Sequence, residues 1–336
     1  MKIPFSRNRQ KPRFCPQVHE LEKRQLLSGL GQPTAIQAHV ARAAKVEHAP
    51  HVGTAPVQSL GTVKVVSNLT YTRDGSQLDV YRPARGTPPP GGWPVILTIQ
   101  GGGWEWARRS DLGGKLAGLT AQGFVVVPID HVYASPGGPS TWPGNIEDVR
   151  NAIRWVRIHA SELHVNPDKL VMLGDSSGGH MATLAGLLPN GPVSADGSSV
   201  STSGAPTTGV STQVQAVVDF YGPTDLVAEW NSVPKTRAYL AAFLGGSPDQ
   251  MPGRYQAASP VTYVNPQSPP VFIAQGVNDT TVPVSQSQEL ADALQAAGVA
   301  HQLVLVPGVG HGFMFGLRSR SMTQLVDWLK GVLNLR

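Results

Sequence analysis

Seven residues, Gly174-Asp175-Ser176-Ser177-Gly178-Gly179-His180, separate two apolar runs, "KLVML" before them and "MATLAGLL" after. Within them, Gly174-x-Ser176-x-Gly178 closes a strand-like run and opens a helical pattern. A strand-to-helix turn of this kind lifts a serine hydroxyl above the sheet, and small residues on both sides let the backbones pass closely. The helix N-terminus beneath favours negative charge. The chemistry this suits is attack by Ser176 on an acyl carbon, with the Ser177 N–H offered to the oxyanion that develops. His180 falls four residues into the helix and is expected to pack beneath the turn. It is not the expected base.

The base should follow an acid later in the chain. His311 in "GVGHGFMF" stands between Gly310 and Gly312, just beyond the run "HQLVLVP". Asp279 in "GVNDTTVP" precedes it by 32 positions, enough for one helix and one strand. Asp225 in "YGPTDL" is a weaker acid candidate with helix capping as its expected role. Gln100-Gly101-Gly102-Gly103-Trp104 follows the run "VILTI". Its glycines expose backbone N–H groups, so Gly102 and Gly103 join Ser177 as candidate oxyanion donors.

The elements that must hold these residues are legible as alternating patterns. Nearly all-apolar runs, "WPVILTIQ", "FVVVPID", "KLVMLG", "VQAVVDFYG", "PPVFIAQG" and "HQLVLVP", alternate with helical stretches. One helix is expected over 145–160, where Ile146, Val149, Ile153 and Val156 recur at spacings of three and four. Another is expected over 284–297, stopped at Gly298. Continuous apolar strands between helices predict an α/β domain with a mostly parallel central sheet and helices on both faces. Ahead of it, "VKVVSNLTYT" and "SQLDVYRP" flank Asp74-Gly75 and predict a β-hairpin. Residues 190–212, rich in Ser, Thr and Gly, join a helix to the next strand and are expected to be a mobile excursion remote from the site. Residues 223–268, between two strands, could form a partial lid.

Domain limits follow from composition. Residues 1–60 read as a basic leader and linker, and 61–336 as the catalytic domain. The net charge of +5 is a property of the leader: residues 1–48 carry nine Lys/Arg against three acids, and the remainder is close to neutral. Nucleic acid is therefore not an expected partner. Cys15 is the only cysteine, so no intrachain disulfide can form and no cysteine cluster is available for zinc. No apolar stretch is long enough for a transmembrane helix. The leader lacks a conventional apolar signal region, but "LEKRQLLSG" resembles an export motif of the form L-E-x-R-x-L-L-S, which leaves localisation open between export and the cytoplasm.

From about Val63 onward the chain resembles the α/β-hydrolases of the esterase/lipase group, close to the BD-FAE (feruloyl-esterase-like) domains. The resemblance is carried by "QGGGW", "NIEDVRNAIRWVR", "GDSSGGH", "VVDFYGPTDL", "GVNDTTVP" and "PGVGHGF", in that order. It implies the α/β-hydrolase fold and a carboxylic-ester hydrolase, without fixing the substrate; small-molecule, aryl, acetyl or carbohydrate-linked esters are the expected class. A Ser176-His311-Asp279 triad and an acyl-enzyme would do the work, with no metal or organic cofactor. Cleavage of amides by the same triad is the alternative. Two departures from the family pattern stand out. Gln100 replaces the usual histidine of the oxyanion loop and is expected to steady that loop by hydrogen bonding. "PIDHVYA" replaces an Asp-Tyr-Arg pattern, so Asp130, His131 and Tyr133 are expected to change one wall of the pocket. Trp104, Trp142, Trp230 and Phe313 are candidates to line it.

Overall fold

The computed structural model describes residues 57–60, 62–194, 196–198, 209–316 and 320–335. The expected leader lies outside these up to residue 56, as does its export-like motif. In chain order the elements are β1 (Val57–Leu60), β2 (Val63–Thr70), β3 (Gln77–Pro83), β4 (Trp93–Ile99), α1 (Arg109–Leu116), β5 (Val125–Pro128), α2 (Gly144–Ile158), α3 (Ala160–Leu163), β6 (Val165–Asp175) and α4 (Ser177–Leu187). They continue with β7 (Ala216–Phe220), α5 (Leu226–Ser232), α6 (Arg237–Leu244), α7 (Pro252–Ala258), β8 (Val271–Gly276), α8 (Val284–Ala296), β9 (His301–Val306) and α9 (Arg320–Val332).

The nine strands form one sheet in the order β1-β2-β3-β5-β4-β6-β7-β8-β9. From β5 to β9 every pairing is parallel, while β1, β2 and β3 add an antiparallel edge. Strand β1 pairs with β2 from Val57, so the sheet begins four residues before the expected limit at residue 61. The four-residue run "VQSL" is too short to show a period, which is why sequence pattern placed the limit later. The hairpin between β2 and β3 is present, with Gly75 at φ +98° in a six-residue connection rather than a two-residue turn.

Alternation along each parallel strand divides the core in two. Val95, Leu97 and Ile99 of β4 join the cluster built on α2, α4 and α8, whereas Ile96 joins the cluster of α1 and α9. Both faces are thus covered, and the runs read as continuously apolar. Helix α2 buries Ile146, Val149, Ile153 and Val156 as its spacing predicts, but it also buries Arg150 and Arg154 completely or nearly so. Arg150 donates to Glu147 Oε1 (2.7 Å) and to the carbonyls of Pro189 (3.1 Å) and Gly191 (2.9 Å). That guanidinium pins the start of the 190–212 connection. Further on, Gly197 O accepts from the Trp142 indole (2.7 Å) and Asp196 O from Arg254 Nε (2.8 Å). The described part of this connection is therefore docked against the segments around residues 142 and 254. Indole and guanidinium donors hold its carbonyls, and none of its described residues lines the cleft that holds Ser176.

Among the described residues no helix is long and apolar enough to cross a membrane.

Close backbone approach fixes where β4 and the Ser176 turn meet. A Cβ on Gly178 would lie 2.2 Å from Ile99 O, inside a strand that cannot move. Gly178→Ala should prevent folding or lower Tm by at least about 10 °C. Gly114, on the exposed face of α1, has nothing within 4 Å of such a Cβ. Gly114→Ala should raise Tm by about 1–3 °C through helix propensity. Thermal melts followed by circular dichroism check both.

Candidate active site

The carboxyl ends of five neighbouring strands deliver the site. After β6, Ser176 takes φ +53° and ψ −127°, a backbone conformation that non-glycine residues adopt only under constraint. The constraint is visible. Ser176 N–H donates to Phe220 O (2.8 Å), and a Cβ on Gly174 would lie 2.1 Å from Gly178 O. The turn can close only with glycine at both flanks, and the hydroxyl is carried into the cleft.

The loops after β8 and β9 bring Asp279 and His311 to it. His311 Nε2 lies 2.8 Å from Ser176 Oγ, and His311 Nδ1 lies 2.8 Å from Asp279 Oδ2. Asp279 Oδ1 accepts from the N–H groups of Thr281 (2.8 Å) and Val282 (2.9 Å), and Oδ2 also accepts from Gln275 Nε2 (3.2 Å). Burial pushes the Asp279 carboxyl up. The His311 imidazole and the Val282 and Thr281 N–H groups outweigh it and hold the carboxyl below the usual carboxylate range. Asp225 instead caps α5, accepting from Val227 N–H and Ala228 N–H (both 2.9 Å). Its side chain serves that helix.

The glycine loop after β4 is tied to the elbow by two side chains. Asp175 Oδ1 accepts from Gly101 N–H (3.0 Å), and Ser177 Oγ accepts from Gly102 N–H (3.0 Å). The Gly102 N–H is thereby engaged, which removes it from the three expected oxyanion donors. The Ser177 N–H heads α4 ahead of the first intrahelical bond, and Gly103 sits in the cleft lining at φ +64°. Gln100 is buried, and its Oε1 has no hydrogen-bond partner among the described residues. No steadying bond is accepted by Gln100 Oε1 among the described residues, and Asp175 and Ser177 tie the loop instead.

His180 lies under the turn as expected. Its Nδ1 accepts from Trp104 Nε1 (3.1 Å) and its Nε2 faces Ala258 O (2.7 Å), which fixes the neutral Nε2–H tautomer. Burial, opposed by the Ala258 carbonyl, pushes its pKa down to about 4.

The cleft has a volume of about 520 Å³ and is lined by Ser176, Ser177, His311, the loop 101–104, and Trp106, Tyr221, Pro223, Glu229, Lys235, Thr236 and Tyr239 among others. Much of one wall is thus supplied by the 223–268 segment, as a partial lid would. Of the four aromatic candidates only Trp104 reaches the lining, and its ring is buried, stacked on Phe243 at 4.9 Å. Trp142 packs edge-on to Phe243, Trp230 packs on Tyr255, and Phe313 packs on Phe220 and Tyr221. Each indole or phenyl ring found core surface to bury. The exposed aromatics that do face the cleft are Trp106 at 59% exposure, two residues past the QGGGW motif, and Tyr239 at 42%, on α6 with no motif around it.

Asp130, His131 and Tyr133 lie elsewhere as well. They line a separate polar recess with Asn68 and Asp79, where Arg109 of α1 pairs with Asp130 and, through Nε, with Asp79 (3.1 Å). None of the three lines the Ser176 cleft, although Ala134 N–H of the same stretch donates to Trp104 O (2.9 Å). No group of three or more His, Cys, Asp or Glu among the described residues could hold a metal ion.

The BD-FAE family model matches residues 78–294. Esterase LipQ of Mycobacterium tuberculosis is 30% identical over 309 residues, covering 90% of this chain and 69% of its own. The chain spans 45% and 59% of two further esterase-type relatives of that organism. A carbohydrate esterase from gut microbiota superposes with a TM-score of 0.70 at 27% identity, covering 85% of this chain and 100% of that one. Esterase 2 of Thermogutta terrifontis phosphonylated by sarin superposes with a TM-score of 0.63 at 26% identity, covering 84% and 96%.

Two outcomes follow from the ties on the glycine loop. Ser177→Ala removes the acceptor for Gly102 N–H while keeping the Ser177 N–H. It should lower kcat roughly three- to tenfold, less than the ~10²–10³ of losing an oxyanion donor, with KM little changed. Steady-state kinetics on p-nitrophenyl acetate measures this. Asp175, pushed up to about 6 by burial against the opposing pull of Gly101 N–H, binds protons in the folded state at pH values where the unfolded chain, with an ordinary carboxylate pKa near ~3.9, has lost them. Its contribution to stability therefore falls as pH rises from about 4 to 6. Asp175→Asn keeps the acceptor and cannot ionise, so its Tm relative to the native chain should rise between pH 4 and pH 7. Melts at the two pH values decide the sign.

Proposed function

This chain belongs to the BD-FAE family and has the α/β-hydrolase fold, and from that premise we propose that it is a serine carboxylic-ester hydrolase working through Ser176, His311 and Asp279. The observation that carries the reading is the unbroken chain of 2.8 Å contacts from Ser176 Oγ through both nitrogens of His311 to Asp279 Oδ2. Beside it lie backbone donors at Gly103 and Ser177.

In this reading His311 Nε2 takes the Ser176 proton as Oγ forms a bond to the acyl carbon. Asp279 holds the Nδ1–H tautomer and supports the imidazolium. The carbonyl oxygen, now anionic, is held by the N–H groups of Gly103 and Ser177, while Gly102 fastens the loop to the elbow. The C–O bond to the alcohol breaks as His311 returns its proton to the leaving oxygen. Water, deprotonated by the same nitrogen, attacks the acyl-enzyme, and the acid leaves as Ser176 recovers its proton. A cleft of about 520 Å³ suits acetyl or other short acyl groups and single aryl rings.

A fluorophosphonate should form one covalent adduct on folded protein, located by mass spectrometry at Ser176. Ser176→Ala should abolish labelling and lower kcat on p-nitrophenyl acetate by at least ~10⁴. An adduct on Ser177, or none at all, would defeat the reading. Matched ester and anilide substrates place the enzyme between ester and amide cleavage, with the ester expected to react faster.

A further inference from the structure

The cleft contains a carboxyl that the mechanism does not use. Glu229 projects from α5, is 1% exposed, and neither of its oxygens has a hydrogen-bond partner among the described residues. Two donor residues lie near it. Thr236 gives its one hydroxyl proton to Val233 O (2.8 Å). The Lys235 ammonium reaches Thr280 Oγ1 (3.3 Å) and acts on the carboxyl through its charge. A buried carboxyl left without donors costs several kcal/mol relative to water. Burial first, and the Asp279 charge with it, push Glu229 up to about 7, against a weaker downward pull from Thr236 and Lys235. The same residue lines the cleft that holds Ser176 and His311, whose remaining lining is mostly apolar. An unpaired acceptor in such a wall matches a donor that arrives with the ligand.

We infer that Glu229 is the specificity-determining residue of this cleft, accepting a hydrogen bond from an O–H or N–H donor carried by the ester a few bonds from its reacting carbonyl. This rests on the proposed role of Ser176 and His311 and narrows the substrate class to esters bearing such a donor. Two donor chemistries fit a carboxyl, a hydroxyl and an ammonium. The Lys235 charge opposes a second cation, so a neutral hydroxyl is the favoured donor. Trp106 and Tyr239 offer exposed ring faces in the same cleft for the carbon framework of a hydroxylated substrate. A site built to pair with a substrate hydroxyl discriminates strongly against the analogue that lacks it, because the buried acceptor then stays unpaired.

The test compares kcat/KM on matched esters that differ by one group. On the acyl side these are the p-nitrophenyl esters of butyric, 3-hydroxybutyric and 3-aminobutyric acid. On the alcohol side they are ethyl, 2-hydroxyethyl and 2-aminoethyl butyrate. The hydroxylated member should be preferred over the plain one by roughly 10- to 100-fold on one side, the worth of a hydrogen bond to a charged group. Glu229→Leu should bring that ratio to within about threefold, and Glu229→Gln, which keeps one acceptor, should retain part of it. Because the readout is a ratio within one preparation, a partly misfolded variant does not imitate the effect. A preference for the amino member alone, lost in Glu229→Leu, upholds the carboxyl as the acceptor and identifies the donor as a cation. A ratio near one in the native chain, or a ratio that survives Glu229→Leu, overturns the inference. Fluorophosphonate labelling of Ser176 separates the two levels: labelled protein with no donor preference sinks only the role of Glu229. Unlabelled protein sinks both.

Discussion

The contact between two backbones governs this site. The Ser176 elbow lies against the end of β4 so closely that a Cβ on Gly178 would meet Ile99 O at 2.2 Å, and one on Gly101 would meet Asp175 O at 2.5 Å. Glycine at these positions is a steric necessity, and everything else follows from it. The approach brings the loop after β4 within hydrogen-bond range of the elbow's own side chains. Asp175 then takes Gly101 N–H and Ser177 takes Gly102 N–H, each at 3.0 Å. The residues on either side of Ser176 thus act as clamps, and the glycine loop after β4 is positioned by the elbow it faces.

Burial acts on four carboxyls around this framework with opposite results. Asp279 is largely buried, yet its protons are held off by an imidazole and two backbone N–H groups. Asp175 and Glu229 lack that many donors, and burial drives them up to about 6 and about 7. Asp219, wholly buried with one N–H from Gly222 at 2.9 Å, is likewise pushed up to about 7. Donor supply, more than depth, separates a carboxylate that can support an imidazolium from one that waits for a partner.

Legibility in the sequence followed the same division. The order of Ser176, Asp279 and His311 was readable because each follows an apolar run whose end marks the rim of the sheet. Gly102 and Gly103 were readable as a loop, but which N–H groups remain available depended on where Ser177 Oγ points, and a hydroxyl's direction has no signature in sequence. The aromatics misled for a related reason. Trp142, Trp230 and Phe313 stand near loop motifs, but an aromatic ring gains as much from a core as from a pocket, and only the packing of Phe243, Tyr255 and Phe220 decides between them. Gln100 was expected to bond because an amide can. Buried beneath a loop already held by two carboxyl and hydroxyl oxygens, it was left with an unpartnered Oε1.

His180 shows how the wall and the floor of the site are joined. One ring nitrogen accepts from Trp104, at the end of the glycine loop, while the other donates to Ala258 O at the end of α7. Phe243 of α6 stacks on Trp104 with the rings nearly parallel, 4.9 Å apart, and meets His180 edge-on at 5.7 Å. A single neutral imidazole therefore connects the helix that carries Ser176, the loop that would hold the oxyanion, and the 223–268 segment that forms the cleft wall. Because burial pushes His180 down to about 4, this connection stays neutral at pH 7. Glu229 and Tyr239 sit on that same segment, which is packed against the glycine loop. Trp104, His180 and Phe243 form one cluster of ring contacts, which leaves little room for the wall or the loop to shift alone.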